Sequence, residues 1–564
     1  MAQADQTSPA PQPPRSFLAN ANLLSRLTMA SRVFGLIRDK VCSYFLGVGT
    51  VWSAFWMGFQ IPNLFRRIFG EGALTAIFVP AYTQVQLSHG KAQADQLARS
   101  VLVLLFAVLL GITAMGECVL LPLALNTHLL PENRLAAGMI AVMLPYTLAI
   151  CVVAILAAFA NVHERFASAA LAPITTSLLM AAAAAAPILI FGGSLPLSQR
   201  IWWVAVAVLA SGVVQLLMLG WTAHRCGLGW GSCDFRAPAL RGIIRRMGPM
   251  IVGFSAVQIN TFFDSQIAWW FSPDAHNGLQ TVHWFGRSIH LPMLAGALGK
   301  LSVAQRIYML PVGVFGVAIA TAIFPRLSAL AAESKMDDLK KVLQSGLRRG
   351  LFLSIPATVG MIIIAHQLIT TIYLGGRVSP ADVWRATNAA RWFCAGIWAF
   401  ELQMILIRVF YARQNTRTPM LVAIIAVAIN LGMNLLLIWP LGVGGIAAST
   451  TISAIGQCAI LFWLLRRDIG PLGIRAMRRV IGQILLATGV MAAVALGVAQ
   501  LFHRYLAPHP IHPVIAEGVC LLLVVAAAAL AYGLMARLLK IPELAHAPLI
   551  GRLAPRAAQY PDAP

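Results

Sequence analysis

The segment IFGEGALTAIFVP, residues 68–80, returns as VFGVAIATAIFP, residues 314–325, with Phe-Gly near the start and Thr-Ala-Ile-Phe near the end of each copy. Gly70 and Gly316 stand 246 residues apart. A second pair, NVHERFASAALAP at 161–173 and VFYARQNTRTP at 409–419, ends in Pro173 and Pro419 with the same offset of 246. Short apolar words recur by chance in a biased composition, but two separate pairs that share one offset indicate an internal repeat.

Both copies sit in a chain built for lipid. Of its 564 residues 59% are hydrophobic and 11% charged, outside the range of water-soluble domains. Runs such as VLVLLFAVLLGITAMGECVLL from 101, IWWVAVAVLASGVVQLLMLGW from 201 and VIAEGVCLLLVVAAAALAYGLMA from 514 reach the roughly 20 residues a spanning helix needs. The expected fold is an all-α polytopic membrane protein with about 14 transmembrane helices by that criterion: two six-helix lobes in parallel repeat plus two C-terminal helices. Repeats with an even number of crossings share one orientation, and the cavity between them is the expected binding site. The expected layout is a disordered cytosolic tail (1–20), an N-lobe (21–225), a cytoplasmic linker (226–245), a C-lobe (246–467) with a periplasmic insertion (272–299), two further helices (478–540) and a cytosolic tail (541–564).

The net charge of +23 is dispersed over short loops and forms no nucleic-acid-binding module. Topology accounts for it better. Arg225, Arg236, Arg241, Arg245 and Arg246 share one loop, and Arg466, Arg467, Arg475, Arg478 and Arg479 a later one, whereas intervening loops such as GGSLPLSQR and WPLGVGG are poor in Lys and Arg. Basic loops face the cytoplasm, and an even helix count then puts both termini there. MAQADQTSPAPQPPRS at the N-terminus lacks the basic start and apolar core of a secretory signal. The cysteines lie mostly inside apolar spans, where they act as small hydrophobes. His224, Cys226 and Cys233 share a loop at a spacing that matches no zinc pattern. No cofactor or metal is expected.

Charge at membrane depth costs at least ~2.5 kcal/mol on insertion scales and marks a cavity or a partner. Arg32 and Arg38 fall in the first span, Arg66 and Arg67 in the middle of the second, and Arg306 inside the eighth; Asp39 and Glu71 are the acids available to neutralise them. A pocket with that balance favours an anion. Arginine suits phosphate, because its planar fork offers paired donors and keeps its charge when partly desolvated. Lys40 reads as snorkelling to the headgroups. Glu401 and Arg408, seven apart on one helix face, read as a structural ion pair. Asp264, Asn430, Asn434 and Thr450 are hard oxygen ligands of the kind a small cation accepts, although Asn pairs also bond helix to helix in lipid.

SRVFGLIRD, FQIPNLFRRIFGEGALTAIFVPAY, QRIYMLPVGVFGVAIATAIFPRLS and YARQNTRTP closely resemble the MurJ (MviN) family of lipid II flippases in bacterial cell-wall synthesis, over about residues 20 to 540. The resemblance implies the MOP exporter (MATE-like) fold, with two lobes that rock between inward-open and outward-open states and two C-terminal helices that line a groove for the undecaprenyl tail. It puts the family's cavity arginines on Arg32, Arg38, Arg66 and Arg306, and implies lipid II, an undecaprenyl-pyrophosphate-linked substrate, carried across the inner membrane. Other cell-wall synthesis proteins and membrane lipids are the implied partners. The energy source stays open between membrane potential and a coupling ion (Na+ or H+).

The chain departs from that pattern in three places. Ser53 stands where relatives commonly carry an acid, Gln305 where an Asp is often found, and the insertion FSPDAHNGLQTVHWFGRSIHLPMLAGALGK (271–300) is long. Its His276, His283 and His290 have the spacing of one helix face, against the plainer reading of an amphipathic periplasmic insertion. The alternatives to a lipid II flippase are another MOP-type carrier, of polysaccharide lipids or drugs, or a non-transport scaffold. A cationic-drug exporter wants acids in its cavity. An enzyme acting on polyprenyl phosphates wants a clustered acid, His or metal set at a membrane face, and none is visible.

Overall fold

The computed structural model describes residues 15–70, 73–272, 281–284, 287–505 and 512–546. In lipid each backbone amide and carbonyl must be satisfied within the chain, and long apolar runs meet that demand as helices. In chain order these are α1 (Arg15–Leu46), α2 (Thr50–Phe65), α3 (Ala73–His89), α4 (Lys91–Leu125), α5 (Pro131–Val162), α6 (Phe166–Phe191), α7 (Leu197–Arg225) and α8 (Pro238–Trp270). After the strands β1 (Thr281–Trp284) and β2 (Arg287–His290) come α9 (Ala297–Pro311), α10 (Val317–Ala332), α11 (Met336–Tyr373), α12 (Pro380–Ala395) and α13 (Ile397–Ala412). The chain continues through α14 (Arg417–Leu441), α15 (Val443–Ile469), α16 (Ile474–Tyr505) and α17 (Pro513–Leu538). Among the described residues, 11 helical stretches are long and apolar enough to cross a membrane, with α9–α10 and α12–α13 each counted as one. Helix α1, interrupted by Arg32, Arg38, Asp39 and Lys40, the α2–α3 pair and α8 are helical but not among the 11.

The repeat extends to an irregularity of the backbone. Between α2 and α3 the chain makes a π-helical turn at Arg66–Gly70, and between α9 and α10 it makes another at Val312–Gly316. The two turns begin 246 residues apart, the offset of the sequence words. Pro62 inside α2 and Pro311 at the end of α9 remove amide donors from the regular ladder just ahead of each turn. A π turn inside a helix is a site of local bending.

Two compact units are present. The first comprises 1–42, 61–121 and 141–248. Within it, a Cβ at Gly212 of α7 would lie 2.7 Å from the Tyr146 ring of α5, so glycine permits the close helix contact. The Gln215 amide donates to Thr176 Oγ1 at 2.7 Å and ties α7 to α6, and the Tyr82 hydroxyl donates to Asp95 at 2.8 Å and ties α3 to α4.

The second unit comprises 43–60, 122–140 and 249–564. Leu343, Leu402, Ile405, Phe410 and Leu461 belong to one apolar cluster within it, and the Tyr532 hydroxyl of α17 donates to the Phe352 carbonyl of α11 at 2.7 Å. The turn after α1 packs backbone to backbone on later segments of this unit. The Arg377 amide donates to the Tyr44 carbonyl at 3.1 Å, Gly296 lies where a Cβ would be 2.7 Å from Gly49 Cα, and a Cβ at Gly299 would collide with the Val48 carbonyl.

Of the two readings of the insertion, the helix face does not hold: β1 and β2 form an antiparallel hairpin that pairs Thr281 with His290 and Trp284 with Arg287, and His276 lies outside the described residues. Short β-rich runs such as Thr-Val-His-Trp favour a ladder over a helix. Within the stretch 226–245, α8 already begins at Pro238, proline being a favoured first residue of a helix.

Candidate functional site

Each arginine singled out in the sequence sits in a defined local setting. In the first unit, Arg32 is exposed on α1, and one helical turn and a half further on Arg38 donates from Nε (3.0 Å) and Nη2 (2.8 Å) to Asp39 Oδ1. Asp39 is buried. Arg66 opens the first π turn and donates from Nη2 to Asn63 Oδ1 at 2.8 Å, a neutral acceptor three residues back. Its charge also reaches Tyr146 and Cys151 of α5. Glu71 lies outside the described residues.

Arg306 belongs to the second unit. It is half-buried on α9, less than two turns ahead of the second π turn, with its guanidinium 5.5 Å from the centre of the Trp56 ring of α2. On the opposite face of α9, Tyr308 stacks against Phe393 and Phe400 at 4.8 and 5.2 Å, which anchors the helix. Both helix pairs that break into a π turn therefore carry an arginine in or ahead of the break.

The four oxygen ligands noted in the sequence come together. Asn434 Nδ2 donates to Asp264 Oδ1 at 2.6 Å and to Asn430 Oδ1 at 2.9 Å, and Thr450 Oγ1 donates to Asp264 Oδ2 at 3.1 Å. Asp264, Asn430 and Asn434 are almost wholly buried. Helices α8, α14 and α15 thus share one polar knot in the second unit. Asn260, one turn before Asp264, joins it at 3.5 Å; its i, i+4 spacing was the signal that sequence reading passed over.

The expected Glu401–Arg408 pair does not form. Arg408 lies over the Phe324 ring at 5.2 Å, and both carboxyl oxygens of the fully buried Glu401 lack a hydrogen-bond partner. Two helical turns separate the residues by about 10 Å along the axis, farther than the side chains bridge. Ser53 takes a role in place of the missing acid: its Oγ accepts from the Gly299 amide at 2.9 Å.

Comparisons with known proteins follow this geometry. The family model described as "Lipid II flippase MurJ" matches residues 42–516. A probable lipid II flippase MurJ of Vibrio cholerae is 30% identical over 465 residues, covering 79% of this chain and 82% of the relative. One of Rickettsia prowazekii is 28% identical over 446 residues, covering 78% and 82%. Among solved structures, lipid II flippase MurJ in an inward closed conformation matches with a TM-score of 0.69 at 20% identity, over 92% of this chain and 98% of that one. An inward-facing multidrug resistance MATE transporter of the MOP superfamily matches at 0.61 and 16% identity, over 80% and 98%. At those identities the likeness is one of fold, and it is the MOP (MATE-like) fold that the family resemblance implies. With a family match that spans most of its length, the chain belongs to the MurJ family.

Proposed function

We propose that this protein flips lipid II, the undecaprenyl-pyrophosphate-linked peptidoglycan precursor, from the cytoplasmic to the periplasmic leaflet of the inner membrane by alternating access, with both termini cytoplasmic. The observation that carries the mechanism is the placement of Arg66 in the first of two π turns that stand 246 residues apart and of Arg306 on α9, less than two helical turns ahead of the second. Arginine forks at points where a helix bends can hold a pyrophosphate in one state and release it when the bend changes.

Arg32, Arg38, Arg66 and Arg306 capture the pyrophosphate, closure strips water from the headgroup, and the tail stays in lipid along α16 and α17. No covalent step is needed. A coupling cation fits the knot of Asp264, Asn430, Asn434 and Thr450, which offers a buried carboxylate together with amide and hydroxyl oxygens. Such an ion drives transport only by binding one conformation better than the other.

Reconstitution into vesicles that carry fluorescent lipid II tests the reading. Lipid II is expected to become accessible on the far leaflet in the presence of the protein, and Arg306→Ala to abolish the transfer. Equal transfer of a polyprenyl-linked exopolysaccharide unit, with none of lipid II, would replace the substrate.

A further inference from the structure

Helices α16 and α17 lie side by side, and where the chain crosses from one to the other three side chains with metal-ligating atoms converge. His503 occupies the last turn of α16. Glu517 and Cys520, three apart in the first turns of α17, share one helix face. The imidazole nitrogen, carboxylate oxygen and thiol sulfur all lie within 4.8 Å of one another.

The contacts within this triad leave it incomplete. His503 Nε2 and Glu517 Oε1 are 3.9 Å apart, too far for a hydrogen bond and about half an ångström beyond the roughly 3.4 Å that separates two donors held tetrahedrally by one ion at bond lengths of about 2.0–2.2 Å, a gap that a small side-chain rotation closes. Glu517 Oε2 is buried and has no hydrogen-bond partner. Cys520 is a free thiol with 0% exposure. Beneath it Ala495, Ala499, Phe502 and Val524 close a dry apolar floor, while His503 is 42% exposed and leaves an approach from water. An apolar shell under a mixed donor set raises the worth of each metal–ligand contact.

We propose that His503, Glu517 and Cys520 form a zinc site that staples α16 to α17, with water in the fourth position. Imidazole, carboxylate and thiolate together suit Zn2+ and disfavour Mg2+ and Ca2+, which take oxygen ligands. As the sulfur–zinc bond forms, Cys520 gives its thiol proton to water, so uptake releases a proton. On the topology proposed above the site faces the periplasm, where it would fix the mouth of the helix pair; binding itself does not depend on that topology.

The test uses the full-length protein in detergent, stripped with chelator and titrated with Co2+. A thiolate-to-cobalt charge-transfer band with tetrahedral d–d bands is expected at one ion per chain, displaced by Zn2+. Cys520→Ser should remove the charge-transfer band, and His503→Ala, a partly exposed position, should weaken binding by at least about tenfold. Zn2+ should raise the unfolding temperature of the wild type and leave that of His503→Ala unmoved. No charge-transfer band in the wild type, or one that survives both substitutions, would overturn the site.

Discussion

The hydroxyl of Ser53 accepts the backbone N–H of Gly299 at 2.9 Å, and the two residues stand 246 positions apart, the offset of the sequence repeat. Equivalent positions of the two halves touch each other within the second unit. Gly299 is held there by sterics as well as by its amide, because a Cβ would collide with the Val48 carbonyl.

Opening this contact by mutation should therefore be simple. Gly299→Ala is expected to push the turn after α1 off α9 and to raise labelling of a cysteine placed at Val48 by an impermeant thiol reagent in intact cells. Ser53→Ala, which leaves the buried amide without its acceptor at a cost of about 1–3 kcal/mol, should raise labelling less. Unchanged labelling in Gly299→Ala would mean that the packed turn does not respond to the contact.

Trp56 should tune Arg306 rather than decide its action. A cation–π contact at a half-buried site contributes about 0.5–1 kcal/mol, so Trp56→Leu should lower flipping in vesicles by about two- to fivefold. Arg306→Lys keeps the charge but loses the planar fork, and a loss much larger than that of Trp56→Leu is expected. Equal rates in the lysine variant and the wild type would show that only a point charge is needed.

Asp264→Asn preserves the shape of the polar knot and removes its carboxylate. Membrane abundance should be retained while any dependence of flipping on Na+ or on proton gradients disappears. If the variant flips lipid II with the same ion dependence as wild type, the knot is helix-to-helix glue and the coupling ion, if any, binds elsewhere.

Glu401 is expected to cost stability. A fully buried carboxyl without a hydrogen-bond partner forfeits its hydration for nothing, and Glu401→Met keeps a similar volume. Thermal unfolding in detergent should show the variant more stable by about 1–3 kcal/mol, the penalty of one unsatisfied buried group. A less stable variant would imply a partner for the carboxyl in the membrane.

Periodic and repeated features were legible in the sequence, and contacts across long stretches were not. The words at 68–80 and 314–325 foretold the repeat because identical bends demand similar Gly and Pro placement, and Asp264, Asn430, Asn434 and Thr450 could be grouped because polar groups in lipid must find one another. Asn260 is visible in hindsight by its i, i+4 spacing. The hairpin at 281–290 was hidden by a histidine spacing that fits a helix, since short segments carry weak periodicity. The unpaired Glu401 was hidden because shared helix face was mistaken for reach. That 43–60 clusters with the second unit follows from glycine contacts more than two hundred residues apart in the chain, such as Gly49 with Gly296, which no local pattern announces.

The most direct measurement is lipid II exposure on the outer face of a bacterium depleted of its own flippase, complemented with the wild type or with Arg66→Ala at equal membrane abundance. The account predicts that the wild type restores exposure and that Arg66→Ala does not. Restoration by Arg66→Ala would make the arginine at the π turn structural, and failure of a correctly inserted wild type would contradict lipid II as the substrate.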